Sequence, residues 1–368
     1  MSFHKNIEAK SSIPGTKLKN NLPFTSSGIP SLDHVIGGGL PATGIFALEE
    51  DILGNYSRVL TKYFLAEGIV CKHDLFIACA DEDPENIIKE LPQPTTEPLE
   101  DVSSVNEGID KMKIAWRYEG LSRVESSFGK STNFGHHFDL SKYMDSETIK
   151  TCNIIYCDPN KSQHILKGFK NSLYSTLLTS IQKAVSKEEY KSSSKNNKNM
   201  LRISIQSLGS PIWMAMDCDE GLDSSHYGQD LIKFMYCLRV MLRDTNSVVF
   251  VTIPSHLFND EEHVMKRILY SIDNSVRIES FTGSTKETNP VYKDYHGLFH
   301  ITKLSTPFSL VPFVPPSLDL AFKLKRKKFL IEKLHLPPEL QESSEREQDD
   351  ITATPPSCGG FKKKDIEF

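Results

Sequence analysis

The sequence predicts an α/β protein in which a mostly parallel, twisted sheet carries helices on both faces. Three observations lead there. Ser27–Gly68 reads as turn, strand, loop and helix in succession. Ser247–Ile253 (SVVFVTI) is an uncharged, β-branched run bounded by Pro254, the mark of a strand buried on both faces. Helical and strand-like segments alternate along the chain, as in sheets whose parallel strands are joined by crossing helices.

In the opening unit, Gly37, Gly38 and Gly39 make a turn where side chains would obstruct. Gly44–Leu48 has the length and apolarity of a strand, and Glu49–Asn55 is a polar loop. From Tyr56 the apolar residues Val59, Leu60, Tyr63 and Phe64 share one helical face, with Gly68 as the stop. Strand, tight loop and helix is the setting of a phosphate-binding loop, whose pattern is G-x-x-x-x-G-K-[ST]. With Gly54 as the second glycine, Glu49 takes the place of the first, Asn55 of the lysine and Tyr56 of the hydroxyl residue, with Ser57 next. A phosphate cradle needs bare amides and a cation, whereas Glu49, Glu50 and Asp51 supply negative charge. Two such charges at ~4 Å repel by about 1 kcal/mol even in water. The loop reads as a degenerate phosphate site, with no cofactor bound by this chain.

The string G-x-x-S-L-D-x-x-x-G-G-G from Gly28, followed by strand, loop and helix, resembles the opening of RecA-like ATPase cores. Several longer strings resemble the Elongator complex protein four family. They are EED at Glu49, KYFLAEG at Lys62, WRY at Trp116, FDLSK at Phe138, RISIQSLGSPIW at Arg202, ETNPVYKDYHGL at Glu287 and AFKLKRKKFLIEKLHLPPEL at Ala321. One departure is local: the family usually places a glycine where Thr43 stands, and here it follows at Gly44. The resemblance implies a RecA-like fold without Walker motifs. It also implies a non-enzymatic accessory subunit, in a hetero-hexameric ring with two sister RecA-like subunits. That ring would bind tRNA and serve the catalytic Elongator subcomplex, which makes carboxymethyl-type modifications of wobble uridine in cytoplasm and nucleus. Radical and acetyl-transfer chemistry would belong to another subunit.

The expected organisation is an N-terminal arm over residues 1–24, one domain over 25–340, and a polar tail over 341–368. Insertions are expected near 93–112, rich in Pro, Thr, Ser and Glu, and at 186–200, basic and of low complexity. Within the domain, Asp74–Cys79 reads as a strand, Asp83-Pro84 as a helix start, and Lys113–Tyr118 as a strand. Glu119–His137 reads as a loop. Ser162–Ala184 reads as a helix through Ile165, Phe169, Leu173, Leu177 and Ile181. Leu201–Ser207 alternates as a strand, with Leu201, Ile203 and Ile205 on one face. Tyr227–Arg243 and about 260–270 read as helices, Ser275–Glu279 and Gly297–Leu304 as strands. Phe322–Leu334 fits strand or helix.

With 368 residues, 25% charged, 38% apolar and a net charge of −5, the chain is no bulk polycation for wrapping nucleic acid. Its seven cysteines form no C-x-x-C pair, which fits reduced thiols. No apolar run has the roughly 18 residues of a membrane span, so no membrane partner is expected.

Other chemistry is sparse. A carboxylate to hold Mg²⁺ is missing at the end of Leu201–Ser207, and Asp217, Asp219 and Glu220 read as loop acids. His136-His137 lack a metal-ligand spacing, so no metal site is read, nor any catalytic residue. Lys323, Lys325, Arg326, Lys327 and Lys328 are the densest basic run, read either as RNA phosphate contacts or as an edge strand guarded by lysines. Trp116 and Trp213 read as packing residues rather than base-stacking ones. Two alternatives stand beside the scaffold reading. One is an active ATPase subunit driving tRNA release, with ATP at ring interfaces and Arg58 and Lys62 as the nearest cations. The other is a recombinase-like DNA-binding module, by fold analogy.

Overall fold

The computed structural model describes residues 13–95, 134–158, 165–194, 199–214, 224–307 and 309–335. Its centre is a nine-stranded sheet. In chain order the strands are β4 (Ile45–Glu49), β5 (Asp74–Ala78), β8 (Ile154–Cys157), β9 (Leu201–Ile205), β10 (Ser247–Ile253), β11 (Asn274–Ser280), β12 (Gly297–Lys303), β13 (Leu320–Leu324) and β14 (Phe329–Lys333). Their spatial order is β14-β13-β12-β11-β4-β10-β9-β5-β8. From β11 to β8 every pairing is parallel, and β11 to β14 continue antiparallel. The predicted α/β class with a mostly parallel, RecA-like sheet is what the structure has.

The sheet is buried on both sides because its strands alternate between two cores. On β4 and β10, Phe46, Leu48, Val248 and Phe250 face one core, while Ile45, Ala47, Val249 and Val251 face the other. The first core is closed by α1 (Pro30–Val35) and α2 (Asn55–Val70), whose Phe64 stacks on Phe250 at 5.0 Å. The second is closed by α5 (Ser172–Val185), α6 (Ser224–Met241) and α7 (Glu262–Ser271), through residues such as Ile181, Leu238 and Ile268. Shorter elements flank the sheet: α3 (Pro84–Lys89), the ribbon of β6 (Pro92–Thr95) with β7 (His137–Tyr143), and α4 (Ser146–Lys150). Asp83 caps α3 by accepting the Glu85 amide, as the Asp-Pro pair predicts.

Several expectations need correction. The arm expected over 1–24 is folded from residue 13 onward. Ile13 is buried, and β1 (Thr16–Lys19) and β2 (Leu22–Thr25) form a small antiparallel sheet with β3 (Leu40–Pro41). Residues 1–12 lie outside the description, as do most of the 93–112 insertion, the 113–118 strand, Asp217, Asp219, Glu220, Trp116 and the tail. The 186–200 segment is anchored where described: Tyr190 is buried and its hydroxyl bonds Asp74. The helix expected from Ser162 starts at Ser172. Asn171 caps it by accepting the amides of Leu173 and Tyr174, and Ile165, counted on its apolar face, is 67% exposed.

Gly68 does not stop α2, which continues to Val70. A Cβ there would lie 2.6 Å from Leu75 Cδ2 and 2.8 Å from Arg202 Cδ, so the glycine permits close packing of helix on sheet. The ambiguous segment after Leu320 is a hairpin, β13–β14. The outward amides of Phe329 and Ile331 on β14 are bonded by Tyr63 Oη and Ser31 Oγ. Thr43, at the family's glycine position, takes a φ of 65°, with its amide held by the Ser247 carbonyl. Among the described residues no helix is long and apolar enough to cross a membrane.

Candidate functional site

The strand after β4 in sequence, β5, lies three places away from it in the sheet, whereas β10 leads through α7 to β11 on the other side of β4. The reversal of direction sits at β4, and ligands of open α/β sheets bind beyond the strand ends at such a point. There the chain places Glu49, Glu50 and Asp51, then Ile52 to Gly54, then α2. A cleft of about 500 Å³ opens beside the loop, lined by Glu50, Asp51, Phe258, Arg277, Glu279 and His300 among others.

Two of the loop's three carboxylates, Glu49 and Glu50, are hydrogen-bonded inside the protein. Glu49, buried at the end of β4, accepts Arg277 Nε at 2.7 Å and Ser275 Oγ at 3.4 Å. Glu50 accepts Ser207 Oγ at 2.9 Å, and Ser207 N donates to Thr252 Oγ1 at 2.8 Å, so the ends of β4, β9 and β10 are stitched together. Burial pushes the Glu50 carboxyl up, the hydroxyls of Thr252 and Ser207 oppose this, and the nearby Asp51 and Asp81 charges add to the rise.

Asp51 turns towards the start of α2. Gly54 (φ 65°) is the N-cap there and supplies no side chain, leaving the first amides uncapped. Neither oxygen of Asp51 makes a hydrogen bond of good geometry. The amides of Asn55, Tyr56 and Ser57 are nonetheless close enough to oppose the upward push of burial on its pKa. The carboxylate thus sits in the field of the helix N-terminus, where an external anion would otherwise be drawn.

The remaining loop residues turn away from phosphate chemistry. Asn55 is exposed, Tyr56 packs edge-on against Phe322 with centroids 4.7 Å apart, and Ser57 donates to the Gly54 carbonyl at 2.9 Å. Arg58 pairs with Asp81 at 2.8 Å and Lys62 with Glu90 at 2.6 Å. At the end of β9, Gln206 accepts Cys79 Sγ at 3.1 Å, and its carbonyl accepts the indole N–H of fully buried Trp213. Ile52 and Leu53, at the loop tip, are 79% and 57% exposed.

The basic run divides. Lys323, on β13, pairs with Glu332 at 2.9 Å and lies over the Tyr295 ring at 4.5 Å. Lys325 to Lys328 form the β13–β14 turn, with Arg326 and Lys327 exposed. The fold separates this turn from the strand-end cleft's lining.

Sequence spacing missed one cluster. Glu67, in the last turn of α2, and Cys71, its C-cap, meet His136, with ligand atoms all within 4.8 Å of one another. His136 donates its amide to Glu67 at 3.1 Å, and its Nδ1 lies 3.1 Å from the same carboxylate. The Cys71 thiol is pushed up to about 12 by burial and Glu67, and the Arg202 cation lies near, so the chemistry favours an ion pair over a cation site. Only the fold could reveal it, because His136 lies far along the chain.

Hydrogen bonding to Glu67 raises His136 above 6.5; burial would raise Glu67, but His136 and Arg202 outweigh it and hold the carboxyl below 4.5. Glu67's share of stability is present above about pH 4.5 and lost as pH falls through its lowered value. His136's share is complete below about pH 6.5 and lost as pH rises through its raised value. The stability difference between wild type and His136→Ala is therefore expected to be larger near ~pH 5.5 than near ~pH 9. Thermal melts at both pH values check this.

The sequence matches the family described as PAXNEB protein over residues 9–368. A Danio rerio protein, Elongator complex protein 4, is 42% identical, with 94% of this chain and 90% of that protein aligned. The Homo sapiens protein of the same name is 41% identical over 97% of this chain and 89% of its own length. The Schizosaccharomyces pombe protein of that name is 27% identical, with 86% and 85% covered. The resemblance read from the short motifs thus holds along the chain, which belongs to the PAXNEB family, with proteins named Elongator complex protein 4 as its relatives.

Proposed function

We propose that this chain is a non-catalytic subunit of the Elongator complex. It assembles with two sister RecA-like subunits into a hetero-hexameric ring that binds tRNA and supports carboxymethyl-type modification of wobble uridine by the catalytic subcomplex, in cytoplasm and nucleus. The observation that carries the non-catalytic role is Asp51, an internal carboxylate facing the amides of α2 where a nucleotide phosphate would need to sit. The names of the relatives support membership of the complex. Loop residues Ile52 and Leu53, apolar and exposed, are suited to contact with a neighbouring subunit rather than with a triphosphate. Arg58 and Lys62, the cations an ATPase would draw on, are engaged by Asp81 and Glu90.

The test is the native mass of the chain co-expressed with its sister subunits. Wild type should form the ring, whereas Ile52→Asp with Leu53→Asp should remain unassembled while keeping its circular dichroism. Asn55→Lys should give no ATP turnover, because the carboxylates remain. Turnover in that variant, or Mg·ATP binding by wild type that is lost in Arg58→Ala, would favour the ATPase alternative.

A further inference from the structure

The basic β13–β14 turn and Lys142 on β7, distant in sequence, lie close to the same acid, Asp139. Lys325 and Lys328 close the β13–β14 hairpin by exchanging backbone hydrogen bonds of 2.9 and 3.3 Å, which leaves Arg326 and Lys327 at an exposed tip. The tip is pinned to β7, because Leu140 N donates to the Lys327 carbonyl at 2.8 Å. Beyond that bond β7 continues through Ser141, Lys142 and Tyr143, all exposed.

Asp139 is the acid at the centre of this surface, and it is covered: its Oδ1 accepts Ser141 N at 2.9 Å and Ser141 Oγ at 2.6 Å. Burial pushes its pKa up, but the Ser141 bonds and the charges of Lys327 and Lys142 hold it below the usual value, so both lysines act on the same spot. Tyr143 stays 70% exposed. It is flanked in the chain by exposed Lys142. An exposed ring beside cations is an arrangement that takes an unstacked base with its phosphates.

We propose that Tyr143, Lys142, Arg326 and Lys327 form a contact site for an unpaired stretch of RNA, with the tyrosine ring stacking on a base and the three cations on flanking phosphates. This rests on the tRNA-binding reading above. It also narrows the basic run, since Lys323 is spent on Glu332.

The experiment uses the co-expressed complex, with anisotropy of labelled tRNA and of a labelled uridine 12-mer across a salt series. Tyr143→Ala should weaken binding of both roughly 5- to 100-fold with an unchanged salt slope, and Tyr143→Phe should restore it. Replacing Lys142, Arg326 and Lys327 by glutamine together should reduce the slope of log K against log salt by about two. Wild-type binding in Tyr143→Ala, a Phe variant as weak as the Ala variant, or an unchanged slope in the triple variant would overturn the site while leaving tRNA binding by the complex intact. Loss of ring assembly in the triple variant, with RNA affinity kept, would show a protein interface instead and also overturn it. Absence of RNA binding by the wild-type complex would remove the tRNA reading itself, and the site with it.

Discussion

Arg202→Ala is expected to destabilise the chain by about 3 to 5 kcal/mol, the range seen when one member of a buried charge network is removed. Arg202 is fully buried on β9. Its guanidinium donates to His73 Nδ1 at 3.0 Å, the Phe64 carbonyl at 3.0 Å and Thr25 Oγ1 at 2.6 Å, and lies over the Phe64 ring at 4.9 Å. One side chain thus ties sheet, helix and the β1–β3 hairpin sheet together. Accepting from Arg202 on Nδ1 leaves His73 Nε2 to donate to the Pro14 carbonyl, 2.7 Å away. Burial and the Arg202 charge lower His73 to about 3, so it stays neutral at physiological pH. Truncation would orphan His73, Thr25 and the Phe64 carbonyl at once and leave Glu67 without its nearby cation. Arg202→Lys should recover part of the loss, since it keeps the charge but not the three-way geometry. Urea unfolding of the three proteins checks the order: wild type above lysine above alanine.

Gly28→Val should be comparably damaging, at about 3 kcal/mol or more, because overpacking and backbone strain act together. Gly28 has a φ of 86°, and a Cβ would lie 2.4 Å from the Tyr63 carbonyl oxygen, which belongs to the helix backbone and cannot rotate away. Around it the motif is a polar knot. Ser26 Oγ and Ser27 N both donate to the Asp33 carboxylate, and Gly28 N donates back to Ser26 Oγ. Burial raises Asp33 to about 6 against those hydrogen bonds. The G-x-x-S-L-D string that resembles RecA-like cores is therefore a device for seating α1 against α2. A drop in denaturant midpoint without a change in m-value would locate the effect in the native state.

Strands and helices with one unmixed signal were legible in the sequence. The uncharged run of β10 and the helix read over Tyr227–Arg243 correspond to β10 and α6, whose Leu231, Phe234, Met235 and Leu238 are buried. Positions where polarity and burial disagree were not. Alternation along β9 reads Arg202 as outward, yet the opposite face carries a second core, and a network assembled from three other segments makes a buried guanidinium tolerable there. The start of α5 was hidden because apolar spacing continued upstream of the Asn171 cap. In the candidate site, the acidic loop was visible from composition, but the direction of Asp51 towards the helix amides was not. Nor was the approach of β7 to the β13–β14 turn, where Leu140 N donates to the Lys327 carbonyl.

The outward amides of Phe329 and Ile331 on the terminal strand β14 are already occupied by the hydroxyls of Tyr63 and Ser31. At those points no free donor is left to template another chain's backbone, which disfavours sheet-to-sheet polymerisation from that margin. A neighbour on that side is steered towards side-chain contacts instead. Such contacts respond to ionic strength and can come apart, whereas cross-strand fibres do not.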